Sequence, residues 1–125
     1  MRLLILLLLP TLVSAADFEV SSKAINKVID GDTLKLNVRL AHIDTPEIRG
    51  KCANEIALAK LATEYTQSFI KDNPKLSITV TGRGYYGRPL AEIRSGDRYL
   101  NLELVEQGLA QWYKNKKPWC AYLSQ

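Results

Sequence analysis

The chain has 125 residues, with 17 lysines and arginines against 13 acids and a formal net charge of +4. That length holds one compact domain and excludes a second. The mild basic excess is compatible with a polyanionic partner without demanding one, and two cysteines allow one internal disulfide.

The first residues read as a leader. Met1-Arg2 is a short basic start, residues 3–13 form an apolar run interrupted by Pro10, and Val13-Ser14-Ala15 supplies small residues before Ala16. This is the pattern of a secretory signal peptide cut after Ala15 or Ala16, and the run is too short to span a bilayer. Residues 1–16 are expected to be removed, leaving one domain over 17–125 with no stable membrane association. Loss of Arg2 lowers the excess charge to +3. In an exported chain, secreted or periplasmic, Cys52 and Cys120 become a candidate disulfide.

Residues 18–29 lean towards β structure, and Asp30-Gly31 signals a tight hairpin. Leu34, Leu36 and Val38 then alternate with polar residues, which predicts a second strand with the leucines on a core face. A third strand starts at Arg39 and runs towards Pro46. Residues 55–70 form the one strong helix, with Leu58, Leu61, Ala62, Tyr65 and Phe69 as its apolar stripe. Asn54 is placed to cap it, and Asp72-Asn73-Pro74 ends it. Leu76, Ile78 and Val80 mark a fourth strand, residues 82–87 a glycine-rich loop, and residues 90–93 the start of a fifth strand that turns at Ser95-Gly96-Asp97. Asn101 is placed to cap a short helix that Gly108 closes. Short strands with a helix between the third and fourth do not fit a parallel α/β sheet. They fit a mainly β, α+β architecture: a five-stranded Greek-key barrel of the OB type with one long and one short C-terminal helix.

The chemistry concentrates in residues 39–47, R-L-A-H-I-D-T-P-E. Pro46 removes a ladder donor and holds Thr45 extended, so Asp44, the Thr45 carbonyl and Glu47 share one stiff corner. Oxygen donors held this way suit a hard cation such as Ca²⁺. On this segment alone, a strand followed by an Asx-type turn with a solvated Glu47 is the better reading. Two further clusters change the balance: Asp30-Gly31-Asp32-Thr33 and Tyr86-Gly87-Arg88.

In order, D-G-D-T, R-L-A-H-I-D-T-P-E, Y-G-R-P-L-A and N-L-E-L-V-E-Q-G-L-A make the chain resemble the staphylococcal nuclease (thermonuclease) family over residues 29–110. The resemblance implies Ca²⁺ held by Asp32, Asp44 and the Thr45 carbonyl, with Asp30 reaching it through water. It implies that Glu47 orients or deprotonates the attacking water and that Arg39 and Arg88 grip the phosphodiester. The implied reaction is hydrolysis of DNA and RNA to 3′-phosphates by a monomer. The physical logic is independent of the family. Two guanidiniums offer forked donors to phosphate oxygens, and negative charge grows on those oxygens during attack.

Other positions carry two readings each. Tyr86 and Tyr113 are candidates for base stacking or phosphate contact, or for barrel packing. Lys114, Lys116 and Lys117 extend a phosphate track or form a solvated face. His42 lacks partners at metal spacing and reads as structural or exposed, and Trp112 and Trp119 read as packing. The pattern departs from the family at Tyr85, where a basic residue is common; Arg83 is the candidate substitute for that phosphate contact. The chain also ends soon after Gly108. A non-catalytic nucleic-acid-binding module of the same fold is the alternative, and a small extracellular interaction domain a third class. The intact set Asp32, Arg39, Asp44, Glu47 and Arg88 argues against the non-catalytic module, and fold alone does not separate the three classes.

Overall fold

The computed structural model describes residues 25–120. The expected signal peptide lies outside the described residues, as do the side chains of Ile25, Thr33 and Tyr86. The elements in order are β1 (Ile25–Asp30), β2 (Thr33–Leu36), β3 (Arg39–Leu40), β4 (Ile43–Asp44), α1 (Ala53–Asp72), β5 (Ser77–Arg83), β6 (Pro89–Ser95), β7 (Arg98–Tyr99), α2 (Leu100–Glu106) and β8 (Gln111–Trp112). Single 3₁₀ turns follow β5 (Tyr85–Gly87) and β8 (Tyr113–Asn115).

β6 is the hub of the pairing. It runs antiparallel to β5 and β7 and parallel to β3, which sets Arg39 opposite Leu90. β4 pairs antiparallel with β8, Asp44 opposite Gln111. Among the described residues, β1 and β2 pair only with each other. The mixed α+β architecture is present, but the expected five-stranded barrel is not closed: among the described residues the strands fall into three separate sheets. The division between β3 and β4 lies at His42, whose φ of 68° is left-handed. This conformation is uncommon for residues other than glycine. It bends the third strand and hands its two halves to different ladders. Ala41 N–H donates to the Ala91 carbonyl and Tyr113 N–H to the His42 carbonyl, each at 2.8 Å, and these bonds fix the bend.

The core forms around Leu100 and Leu104, both fully enclosed, with Ile43, Ala62, Phe69, Ile93, Leu109 and Ala110. α1 runs through 20 residues without glycine or proline. It turns Ala59, Ala62 and Phe69 inward, with Leu58 and Tyr65 at the margin. Leu61 departs from the expected stripe and is half exposed. It lies one residue from Ala62, roughly 100° around the helix, beyond the strip that the core covers.

The helix starts also differ from expectation. Cys52, not Asn54, is the N-cap of α1, and no side chain caps it. Glu55 instead reaches back, its Oε2 accepting the Lys51 N–H at 2.9 Å, and its charge meets the positive end of the helix. α1 ends where Asn73-Pro74 predicts, with Asn73 Nδ2 donating to the Phe69 carbonyl at 2.7 Å. Asn101 does not cap α2; Tyr99 holds that position, and Asn101 is buried inside the helix. Gly108, at φ 71°, closes α2 as expected. Its N–H donates to the Val105 carbonyl and that of Leu109 to the Leu104 carbonyl, the paired bonds of a Schellman motif.

Leu34 and Leu36, expected on a core face, are 51% and 55% exposed. Alternation gave β2 an apolar face, but the hairpin makes no ladder with the rest of the sheet that would bury it.

Candidate active site

Asn101 ties the bend to its surroundings. Its Nδ2 donates to the Ala41 and Ala91 carbonyls at 3.0 and 3.1 Å, and its Oδ1 accepts the Ile93 N–H at 3.2 Å. One side chain from α2 thus joins the 39–44 segment to β6 in a buried place, where such bonds are strong and costly to break.

Because β3 is parallel to β6, Arg39 lies beside the start of β6, just past Arg88. A cleft of about 230 Å³ opens there, lined by Arg39, Leu40, Ile43, Asp44, Thr45, Glu47 and Arg88. Five residues singled out in the sequence therefore meet in one place: two arginines, two acids and Thr45. Pro46 is buried beneath the corner, while Glu47 is exposed. Arg39 Nη2 lies 3.6 Å from Asp44 Oδ1, and its guanidinium is 6.0 Å from the centre of the Tyr113 ring.

The remaining candidates fall elsewhere. Asp30 ends β1 and Asp32 sits in the hairpin turn, its N–H donating to Asp30 Oδ1 at 3.3 Å; neither lines the cleft. Arg83 ends β5, exposed, and it too is absent from the lining. Tyr113 lines a larger apolar cleft of about 530 Å³ that shares Arg39, Leu40 and Ile43 with the first. Tyr85, Leu90, Trp112 and Lys114 complete much of its wall. Trp112 is therefore not core packing: it is 43% exposed beside this cleft. His42 is exposed, with Nε2 3.9 Å from Glu92 Oε1.

Two contacts at Asp44 were not legible in the sequence. Trp119 Nε1 donates to Asp44 Oδ2 at 3.2 Å, and Lys116 Nζ stands 3.7 Å from Oδ1. Trp119, half-buried, thus adds a polar contact to the expected packing. Its position beside Cys120 was the one available signal, because a tail tied back by a disulfide must lie against something. Cys52 and Cys120 are bonded, at an S–S distance of 2.09 Å across 68 residues of sequence. Lys116 Nζ also lies 4.7 Å from the Tyr113 ring centre.

Asp44 and Thr45 supply oxygen donors in the cleft, with the Glu47 carboxylate beside them, a set suited to a hard cation. Asp32, the other expected ligand, stands on the separate hairpin. Among the described residues, the one group of three His, Cys, Asp or Glu side chains with ligand atoms within 4.8 Å is Cys52, Glu55 and Cys120, and its sulfurs are taken by the disulfide. The cleft matches a hard cation in the kind of donor it holds, the oxygens of Asp44, Thr45 and Glu47.

Among known proteins, the family described as staphylococcal nuclease homologue matches residues 37–124. A thermonuclease of Staphylococcus intermedius is 30% identical over 106 residues, covering 78% of this chain and 63% of its own length. An uncharacterized endonuclease of Haemophilus influenzae is 32% identical over 117 residues, covering 87% of this chain and 62% of its own length. The chain thus spans a little under two thirds of the length of these relatives.

Proposed function

This chain belongs to the staphylococcal nuclease homologue family, and from that premise we propose that it is a Ca²⁺-dependent nuclease. It hydrolyses DNA and RNA and leaves 3′-phosphates. The observation that carries the reading is the single cleft lined by Arg39, Asp44, Thr45, Glu47 and Arg88. Glu47 orients or deprotonates the water that attacks phosphorus. A new P–O bond forms as the bond to the 5′ oxygen breaks. Negative charge builds on the non-bridging oxygens, where the forked donors of Arg39 and Arg88 receive it.

Asp44, the Thr45 carbonyl and Asp32 would hold the cation, with Asp30 one step behind them. When bound, Ca²⁺ adds fixed positive charge at the phosphate and lowers the pKa of water. The fold family is a five-stranded barrel, in which the β1–β2 hairpin would bring its exposed Val28, Leu34 and Leu36 against the central sheet and Asp32 towards the cleft. The large apolar cleft takes a base against Tyr113, with Tyr86 and Arg83 as further substrate contacts. The protein acts as an exported monomer, secreted or periplasmic, after loss of residues 1–16. The disulfide supports that placement, and no described helix is long and apolar enough to cross a membrane.

The test is to incubate the purified mature protein with single-stranded DNA in Ca²⁺ or in chelator. Ca²⁺-dependent cleavage with 3′-phosphate ends is the expected result. Binding without cleavage, indifferent to chelator, selects the non-catalytic module instead.

A further inference from the structure

We propose that Trp119 is a positioning residue for Asp44, and that the Cys52–Cys120 bridge acts on the site through it. The inference rests on reading Asp44 as a cation ligand.

The tail is clasped on both sides of the indole. Upstream, Gln111 Oε1 accepts the Lys117 N–H at 2.8 Å and its Nε2 donates to the Lys117 carbonyl at 3.1 Å. Downstream, Cys120 is bonded to Cys52 at the N-cap of α1. Gln111 is also the residue opposite Asp44 in the β4–β8 pair. The strand partner of Asp44 therefore holds the segment whose tryptophan holds the Asp44 side chain. With Pro118 restricting the backbone between the clasps, the indole N–H is fixed against Oδ2 at 3.2 Å.

A carboxylate turns easily about its last torsion, so its direction is set by what bonds it. Asp44 has three such neighbours, and its side chain is only 15% exposed. Arg39 and Lys116 face Oδ1 at 3.6 and 3.7 Å. Both are cations and repel a divalent ion arriving at that oxygen. Trp119 is the neutral donor of the three. Its bond to Oδ2 brings no full charge that would repel an ion, so it is the contact that would remain while Asp44 served as a ligand. A partner of this kind, one step behind a metal ligand, typically contributes roughly ten- to a hundredfold in metal affinity.

Trp119→Phe keeps most of the ring and removes only the donor. The expected result, by calorimetric titration with CaCl₂ alone, is a Ca²⁺ dissociation constant raised about tenfold or more. KM for single-stranded DNA at saturating Ca²⁺ should change little. Cys120→Ser, checked to be folded by circular dichroism, should shift Ca²⁺ affinity in the same direction. Independently of any cation, the Trp119 indole N–H resonance should be protected from exchange in the wild type and lose that protection in Asp44→Ala and Cys120→Ser. If the wild type binds Ca²⁺ and cleaves but Trp119→Phe matches its affinity within twofold, the role of Trp119 is overturned and the nuclease reading stands. An indole N–H indifferent to both Asp44→Ala and Cys120→Ser also overturns it. If the wild type neither binds Ca²⁺ nor cleaves, the nuclease reading fails and the positioning role falls with it.

Discussion

The β1–β2 hairpin and the corner at residues 39–47 both carry acids expected at the site, yet they are held in different ways. Among the described residues the hairpin pairs only with itself, and its leucines are half exposed. A lone two-stranded hairpin is marginal in water. The corner is tied to β6 through β3, to β8 through β4, to α2 through Asn101, and to the tail through Trp119. The difference teaches that a carboxylate becomes a defined part of a site when non-local contacts fix its backbone and its side chain together. Asp44 has both.

The largest expected effect is on the side of the corner. Cys120→Ser removes a crosslink across 68 residues, and in the chain-entropy model this costs about 4 kcal/mol. Denaturant unfolding of the oxidised proteins measures it. A loss below roughly 1 kcal/mol would show that the tail holds its place without the bond.

Asn101→Leu should come next. It strands the Ala41 carbonyl and the Ile93 N–H, while the Ala91 carbonyl keeps its bond from Ala41 N–H. Two unsatisfied buried groups cost roughly 2–6 kcal/mol, read from the unfolding midpoint. An unchanged midpoint would break the claim that this side chain pins the corner.

Glu47→Gln keeps the size of the side chain and removes its charge. Turnover should fall by about a hundredfold, the scale of a positioned acid–base group, while Ca²⁺ affinity changes less. Cleavage within a few-fold of wild type at saturating Ca²⁺ would remove Glu47 from the chemistry.

The hairpin should respond weakly. Leu34→Ser in the free protein should stay within about 0.5 kcal/mol, as for other surface positions. A cost of roughly 2 kcal/mol or more would show the hairpin already closed on the sheet, and repeating the measurement with Ca²⁺ and a DNA oligonucleotide sharpens the contrast.

The smallest effect concerns pH. The Arg98 guanidinium bonds both oxygens of Glu103, at 2.6 and 3.2 Å, and Tyr65 donates a third bond at 2.8 Å. Chiefly through the Arg98 bonds, and against partial burial, the Glu103 carboxyl is held below the usual carboxylate range. A folded pKa below the unfolded one stabilises above the unfolded value and is lost as pH falls through the folded value. Glu103→Gln should therefore flatten the acid limb of stability against pH and leave the pH dependence near neutrality unchanged. An unaltered acid limb would show that this carboxylate is not linked to folding.

The sequence by itself determined the local decisions. An uninterrupted run of helix formers made α1, and Pro74 ended it. Gly108 closed α2 because its φ of 71° suits a residue without a Cβ. The clustering of Arg39, Asp44, Thr45, Glu47 and Arg88 was also legible, from four motifs in a fixed order, and so was the pairing of the only two cysteines. Other features depended on neighbours distant in the chain. Which face of β2 is covered, why Leu61 is exposed, and why Asn101 is a buried clasp rather than a cap are set by what packs there. Periodicity marks an apolar face but not the element that meets it. The contact of Trp119 with Asp44 spans 75 residues and leaves no local pattern, because the disulfide and the Gln111 clasp create it only when the tail folds back.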